Sequence, residues 1–227
     1  MTKSRQVRLG LFAKWPAPGQ VKTRLASATS PEWAACLADA FLGDALRRWE
    51  VLPGRILAID PPQRQSDFAR RAGPGWQIVV QAAGDLGQRL GAFFQQFSPA
   101  VVLGTDSPTL PRSHVLAALQ ALKTVDVVLG PATDGGYYLI GCRDWLPELF
   151  AAVAWGGEQV LKQTVERLPP GKSLHLLPPW YDVDTLADVH FLWGHLAAAR
   201  RAGDDLQAPH TEQLLHTFFS CPPGRQS

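Results

Sequence analysis

The chain has few cysteines, and their arrangement argues against two common ways of stabilising or building a site. Cys36, Cys142 and Cys221 are an odd set, and no two of them form a Cys-x-x-Cys pair. This argues against a disulfide framework and against a cysteine-ligated zinc site. The six histidines also show no spacing typical of metal ligands. Because such cysteine usage is typical of a reducing compartment, we expect a cytoplasmic protein.

Long hydrophobic runs and a strong net charge are missing as well. No stretch approaches the ~20 apolar residues that a membrane-spanning helix needs, and the first apolar run, which ends at Lys14, is shorter than the core of a signal peptide. The formal net charge of +2 is too small to indicate a nucleic-acid surface. We therefore expect no membrane span and no nucleic-acid partner. The 227 residues, 46% of them hydrophobic, have an ordinary globular composition and fit one domain better than two.

Short apolar runs alternate with helical patterns along almost the whole sequence. The predicted strands cover residues 7–13, 54–60, 76–81, 100–106, 125–131, 136–142 and 173–178. The predicted helices cover residues 31–49, 66–72, 86–97, 111–123, 157–168, 185–202 and 211–219. This alternation predicts an α/β fold with a mostly parallel sheet and helices on both faces. The sixth predicted strand follows the fifth too closely for a helical crossover, which predicts a mixed sheet.

A loop with prolines and cations follows the first predicted strand. KWPAPGQVKTRLA, residues 14–26, contains Lys14, Lys22 and Arg24. It is not a Walker A loop, because two residues separate Gly19 from Lys22 and because the two prolines of the loop lack backbone N–H donors. The loop therefore predicts phosphate binding by side-chain cations, or else a solvated basic surface.

Carboxylates follow other predicted strands. Asp106 lies in GTDSPTLP, Asp134 in GPATDGGYY, and Asp182 and Asp184 in WYDVDT. In open α/β sheets, ligands bind beyond the carboxyl ends of the strands. Cations there can hold a polyphosphate directly, and carboxylates can hold it through a divalent metal.

Several of these residues also have a structural interpretation. Asp106 could cap the helix that begins near residue 111, and Asp85 in GDLGQRL could either cap a helix or contact a nucleotide. We expect Asp184 to cap the helix over residues 185–202, which leaves Asp182 as the free carboxylate.

The glycine pair before the sixth predicted strand is open to two interpretations. Gly135 and Gly136 could form only a turn, or could let the backbone approach a ligand closely. Tyr137 and Tyr138 follow them on opposite faces of the strand, so one of the two can face the site. Trp15 in the first loop can border the site.

The ordered motifs together resemble a known family. FAKWPAPGQVKTRLA, GDLGQRL, GTDSPTLP, GPATDGGYYLIG, WGGEQVLKQT and DVDTLADV occur in this order within residues 9–190. They resemble a bacterial family of uncharacterised glycosyltransferase-like proteins, similar to 2-phospho-lactate guanylyltransferase and to the molybdenum-cofactor nucleotidyltransferases. The resemblance implies the nucleotide-diphospho-sugar transferase superfamily and its GT-A fold, a Rossmann-like three-layer sandwich. We expect one domain over residues 1–220 and a flexible tail over residues 221–227.

The resemblance also implies roles for individual residues. Lys14, Lys22 and Arg24 correspond to the phosphate-binding loop, and Asp106 and Asp182 to the ligands of Mg²⁺ (or Mn²⁺). Further contacts to the nucleotide or the substrate are expected from Gly19, Thr23, Asp85, Thr105, Gly135, Gly136 and Tyr137.

These features predict a Mg²⁺-dependent enzyme that transfers a nucleotidyl group from a nucleoside triphosphate to a small phosphorylated acceptor. A phosphate acceptor is already a nucleophile, so no general base is needed. One alternative is a glycosyltransferase that uses a nucleoside-diphosphate sugar, with Asp134 as the candidate base. Another is a nucleotide-binding protein without turnover, against which the combination of cations and carboxylates argues.

Overall fold

A single sheet organises the chain. The computed structural model describes residues 5–220, and the predicted tail over residues 221–227 lies outside them. Within the described residues the sheet has seven strands in the order β3-β2-β1-β4-β6-β5-β7. The strands are β1 (Arg8–Lys14), β2 (Arg55–Asp60), β3 (Gln77–Val80), β4 (Ala100–Leu103), β5 (Val127–Pro131), β6 (Tyr137–Cys142) and β7 (Leu174–Leu176).

The sheet is mixed, as predicted. Strand β6 runs antiparallel to its neighbours β4 and β5, whereas the other four strand pairs are parallel. Because β6 runs the opposite way, its first residue lies at the same edge as the carboxyl ends of β1 and β4. The predicted α/β fold is confirmed. Strand β4 ends at Leu103, so that Asp106 lies three residues into the following loop.

Eight α-helices surround the sheet within residues 5–220. They are α1 (Thr23–Ala28), α2 (Pro31–Trp49), α3 (Gln65–Ala72), α4 (Leu86–Phe97), α5 (Arg112–Ala121), α6 (Val160–Glu166), α7 (Leu186–Ala202) and α8 (Pro209–Ser220). The predicted bounds of α2 and α4 are confirmed, whereas α1 and two 3₁₀ turns, Pro62–Arg64 and Pro147–Phe150, were not predicted. In the described part of the chain, no helix combines the length and the apolar character that crossing a bilayer requires.

Helices cover both faces of the sheet because β1 is buried on both sides. Leu9, Leu11 and Ala13 point to one face and join the core formed with α2 and α5. On the other face, Gly10 leaves room for Phe93 of α4, since a Cβ atom on Gly10 would lie 2.5 Å from Phe93 Cζ. The result is the predicted three-layer arrangement of helix, sheet and helix.

A separate hydrophobic cluster joins α1, α2, α7 and α8. Leu25 of α1, Phe41 of α2, Val189 of α7 and Val183, which precedes α7, are all fully buried in it. Leu25 lies three residues after Lys22, and Val183 lies between Asp182 and Asp184. The cluster therefore holds the first loop against the segment that carries the last two aspartates, although the two are distant in sequence.

Candidate active site

A cleft of about 600 Å³ opens at the sheet edge where β1 and β4 end and β6 begins. It lies where ligands bind in open α/β sheets. The residues from the sequence prediction that line it are Lys14, Lys22, Thr105, Asp106, Tyr137 and Asp182. Asp184, Ser107, Gln81 and Arg89 line it as well.

Lys22 joins two carboxylates in this cleft. Its Nζ atom lies 2.5 Å from Asp106 Oδ1 and 2.8 Å from Asp184 Oδ1. The Lys22 side chain is only 4% exposed, and its Nζ atom also lies 5.5 Å from the centre of the Phe41 ring. Burial opposes the charged form, but the charges of Asp106 and Asp184 outweigh it and raise the pKa of Lys22 above its usual value. The ammonium group therefore stays charged in a buried position.

The backbone of Lys22 is unusual. It adopts the left-handed conformation (φ 48°, ψ 46°) directly before α1, and its carbonyl accepts the hydrogen bond from Ala26 N. This conformation costs a non-glycine residue ~1 kcal/mol or more. The two ion pairs of the side chain offset that cost and hold the lysine in the cleft.

Asp182 lies beside this group. Its Oδ1 atom accepts a hydrogen bond from Ser107 Oγ, and Val183 N donates to the carbonyl of Asp106 at 3.0 Å. Burial raises the pKa of Asp182 to about 7; the charges of Asp106 and Asp134 add to this effect, and the Ser107 hydrogen bond opposes it. Asp106, Asp182 and Asp184 all line the cleft, and their negative charges favour binding of a cation there.

Asp184 does not cap α7, and the sequence interpretation of it is wrong. Thr185 is the cap residue, with an extended backbone (φ −121°, ψ 168°) and a side chain that accepts from Asp188 N at 3.3 Å. Asp188 Oδ2 in turn accepts from Thr185 N at 2.7 Å. This reciprocal pair satisfies the free N–H groups of the first turn, so the Asp184 carboxylate is available to pair with Lys22.

Comparison with known proteins now gives the family. Residues 47–157 match the family model described as "uncharacterized protein conserved in bacteria (DUF2064)". A solved structure from Desulfovibrio desulfuricans G20, named provisionally as a nucleotide-diphospho-sugar transferase, is 31% identical, with a TM-score of 0.81; the match covers 94% of this chain and 98% of that one. The chain belongs to the DUF2064 family.

Two further relatives extend the comparison. The 3-phospho-D-glycerate guanylyltransferase of Phenylobacterium zucineum (strain HLK1) is 32% identical over 141 residues, which is 56% of this chain. The match spans 62% of the length of that relative. A cytidylyltransferase from Leptospira borgpetersenii serovar Hardjo-bovis (strain JB197) is 14% identical with a TM-score of 0.57, over 95% of this chain and 94% of that one, and shares the fold. The predicted family resemblance is confirmed, and the fold is nucleotidyltransferase-like.

Some predicted phosphate-loop residues of this DUF2064 chain lie away from the cleft. Among the described residues, Gly19, Thr23 and Arg24 do not line it. Arg24 is exposed on α1 and forms no ion pair with another described residue. Of the three predicted cations, the structure therefore brings Lys14 and Lys22 to the cleft, and a phosphate contact by Arg24 stays a prediction.

Asp85 has a structural role. It caps α4, accepting from Gln88 N at 2.9 Å, while Gln88 Oε1 accepts from Asp85 N at 2.9 Å. The sequence allowed Asp85 either to cap a helix or to contact a nucleotide. Its hydrogen bonds support helix capping, and Asp85 does not line the cleft.

Asp134 and the glycine pair form a turn next to the cleft rather than part of its lining. The Asp134 side chain is exposed and accepts from Gly136 N at 2.9 Å. Gly135 has φ +92°, and a Cβ atom there would lie 2.0 Å from the carbonyl oxygen of Glu158. Glycine is therefore required for close packing against the segment before α6.

Two residues that line the cleft of this DUF2064 member, Gln81 and Arg89, were not predicted from the sequence. Gln81 Nε2 donates to the carbonyls of Ala13 (3.3 Å) and Ala58 (2.8 Å), which fixes its side chain across the ends of β1 and β2. Arg89 Nη1 lies 3.1 Å from Asp60 Oδ2 and 3.2 Å from Gln81 Oε1. Arg89 stands in the GDLGQRL motif, one helical turn after its cap, and that spacing is a signal that it faces the sheet edge.

Aromatic residues support the segment that carries Asp182. The hydroxyl of Tyr181 lies 2.7 Å from Thr109 Oγ1 and 2.8 Å from His195 Nδ1. Its ring stacks on Trp180. Burial raises the pKa of Tyr181 to about 12, so the hydroxyl stays protonated and can donate one of these hydrogen bonds. These contacts hold Tyr181, the residue directly before Asp182, in place.

Proposed function

We propose that the chain is a nucleotidyltransferase, which transfers a nucleotidyl group from a nucleoside triphosphate to a small phosphorylated acceptor. One observation carries this proposal. Two lysines and three aspartates line a single cleft at the strand ends of a nucleotidyltransferase-like fold, and Lys22 pairs with two of the aspartates.

A divalent cation such as Mg²⁺ or Mn²⁺ suits the oxygen donors of the cleft. Asp106 and Asp182 would hold it, because carboxylate oxygens are its preferred protein ligands. Within residues 5–220 there is no group of three or more histidine, cysteine or acidic side chains already arranged around one metal position. Mg²⁺ is commonly held by one or two carboxylates, with phosphates and waters completing its shell. When bound, the metal would neutralise phosphate charge.

The lysines are suited to hold the triphosphate. Lys14 at the end of β1 and Lys22 before α1 would bind the β- and γ-phosphates and neutralise the charge that develops on the leaving pyrophosphate. No histidine or cysteine lines the described part of the cleft. A phosphorylated acceptor needs no general base, because its phosphate oxygen is already ionised and can attack the α-phosphate.

The matched relative supports a first choice of acceptor and nucleotide for the test. The Phenylobacterium protein is named as acting on 3-phospho-D-glycerate with guanylyl transfer. A small phosphorylated carboxylic acid and GTP are therefore the first pair to test.

The test is the release of pyrophosphate. The protein is incubated with Mg²⁺, one nucleoside triphosphate at a time and 3-phospho-D-glycerate, and pyrophosphate is measured by coupled hydrolysis to phosphate. Pyrophosphate that forms only when both the nucleotide and the acceptor are present supports the proposal. If no triphosphate gives pyrophosphate with this acceptor or with a metabolite extract, nucleotidyl transfer is the wrong reaction.

Glycosyl transfer is the second candidate, because the Desulfovibrio relative carries a nucleotide-diphospho-sugar transferase name. In this reaction the metal would hold the diphosphate of the donor and Asp134 would be the candidate base. Its exposed carboxylate lies just outside the cleft lining. Release of a nucleoside diphosphate from a nucleotide sugar, in place of pyrophosphate, identifies this alternative.

A further inference from the structure

We propose that Lys22 blocks the metal position of the cleft until a polyphosphate binds, so that metal and nucleotide bind together rather than metal alone. The proposal concerns regulation of the site described under the proposed function and rests on it. The contact that carries it is the double ion pair of Lys22 with Asp106 and Asp184.

The ammonium group of Lys22 contacts Asp106, which is one of the two proposed metal ligands, and it also contacts Asp184. Its Nζ atom is within 2.8 Å of an oxygen of each aspartate, close to the 2.0–2.6 Å at which Mg²⁺ or Ca²⁺ contacts oxygen ligands. Both aspartate side chains are 42–48% exposed toward the cleft, whereas the lysine side chain is 4% exposed. A metal that approaches Asp106 from the cleft therefore meets a carboxylate whose charge Lys22 already compensates from the protein side.

The backbone conformation of Lys22 is unfavourable for a lysine, and the ion pairs with Asp106 and Asp184 are kept despite that cost in free energy. A left-handed lysine at the end of a proline-rich loop is retained only when its surroundings over-determine it. Lys22 is the cap residue directly before the six-residue helix α1, so a change at its φ and ψ angles moves the side chain without unfolding a long element.

A triphosphate changes the balance of charge. Its oxygens offer the ammonium group a partner of higher charge than a single carboxylate, and the lysine can move toward them. Asp106 then regains a full negative charge for the metal. Metal and polyphosphate binding are therefore coupled through one side chain, and the coupling is reciprocal.

The test is direct binding of Mn²⁺ without nucleotide, measured from the loss of the free-ion signal in electron paramagnetic resonance. Lys22→Met removes the charge at nearly constant volume. Lys22→Asn removes it with a residue that tolerates the left-handed conformation, so that a folded variant is available if Lys22→Met does not fold. We expect Mn²⁺ to bind both variants about tenfold or more tightly than the parent protein, because a cation next to the metal position has been removed.

Lys14→Met is the matched control, since it removes the same charge from the same cleft without a carboxylate contact among the described residues. We expect it to change Mn²⁺ affinity by about twofold or less, because a more distant charge is screened by salt and solvent. Asp106→Asn combined with Lys22→Asn should abolish the gain. Equal Mn²⁺ affinity in the parent and in both Lys22 variants, or an equal gain with Lys14→Met, would overturn the proposal.

The failure of this proposal is distinguishable from the failure of the proposed function. If the parent protein releases pyrophosphate but the Lys22 variants bind Mn²⁺ no more tightly, the proposal that Lys22 blocks the metal position is refuted. The proposed nucleotidyl transfer is then unaffected. Tighter Mn²⁺ binding in those variants without any nucleotidyl transfer refutes the reaction and leaves the competition between lysine and metal intact.

Discussion

At the scale of single residues, the cleft depends on which aspartates are free to bind. Asp182 contacts Ser107 and faces the cleft, whereas Thr185 and Asp188 cap α7 three to six residues later. Two neighbouring polar positions therefore have different tasks, one in the site and one in the stability of a helix.

We predict that Asp182→Ala loses turnover while the free energy of unfolding changes little, because removing a buried carboxylate with a raised pKa removes its desolvation cost as well. Thr185→Ala should do the opposite and cost about 0.5–2 kcal/mol of stability, the usual range for a lost helix cap. Urea unfolding and activity measured on both variants check the pair. Loss of activity in Thr185→Ala at full stability would contradict this division of tasks.

The sequence contains a local signal for the cap of α7, although the prediction chose Asp184, but it contains no signal for the ion pair between Lys22 and Asp184. Thr185 and Asp188 have the three-residue spacing of a reciprocal cap, which is a local signal. Lys22 and Asp184 are 162 positions apart and meet only because Leu25 and Val183 are buried in one cluster. Contacts of that kind depend on the tertiary fold, which the local pattern does not contain.

At the scale of elements, Asp126 connects the residues directly before β5 and β7 through hydrogen bonds. Its carboxylate accepts hydrogen bonds from Ser173 N at 2.9 Å and Ser173 Oγ at 2.7 Å, and it pairs with Arg143 at 2.6 Å. The hydrogen bonds from Ser173 contribute most and, with the cations, hold the pKa of Asp126 well below its usual range. The short edge strand β7 is thereby attached to the sheet.

This gives a prediction for stability against pH. The folded-state pKa is depressed, so the stabilisation is present above the unfolded pKa of about 3.9 and is lost as the pH falls toward the folded value. Asp126→Asn should lower the free energy of unfolding by about 1–3 kcal/mol near neutral pH, and the difference from the parent should shrink below about pH 4.

Asp144→Asn is the control for that measurement, because Asp144 lies near the same arginine but is 65% exposed. Chemical denaturation of the three proteins across this pH range provides the test. A difference between parent and Asp126→Asn that stays constant down to the acid limit would show that Asp126 is not held ionised by these partners.

Strand β1 and helix α4 supply a second prediction at this scale. Gly10→Ala would place a Cβ atom 2.5 Å from Phe93 Cζ, so we expect a loss of about 1–3 kcal/mol from overpacking. Gly194→Ala in α7 is the control, since nothing lies within 4 Å of its Cβ position. Alanine should there stabilise the helix by up to ~1 kcal/mol. Thermal unfolding separates the two, and equal melting temperatures would contradict the packing of Phe93 over β1.

Elements with a strong hydrophobic period were predictable, whereas short ones were not. The bounds of α2 and α4 follow from 19 and 12 residues of helical pattern. Helix α1 has only six residues and starts from a left-handed lysine, so it carries too few turns to show a period. It was predicted as part of the loop.

At the scale of the whole molecule, the strand order places the residues of the candidate site at one edge of the sheet. Strands β1 and β4 are neighbours, and β6 beside them begins where they end. Asp106 could be predicted at this edge from the strand before it. The contributions of Gln81 and Arg89 could not be ranked from the sequence, because their partners lie on β1 and β2.

The measurement that tests the central proposal most directly is ³¹P nuclear magnetic resonance of one reaction mixture. GTP, Mg²⁺ and 3-phospho-D-glycerate are followed with the parent protein and with Asp106→Asn, which removes one charge from a proposed metal ligand. We predict that the parent produces pyrophosphate together with a new diphosphate linkage, and that Asp106→Asn slows this by about a hundredfold or more while remaining folded. Equal rates for the two proteins, or release of GDP and inorganic phosphate in place of pyrophosphate, would contradict nucleotidyl transfer in this cleft.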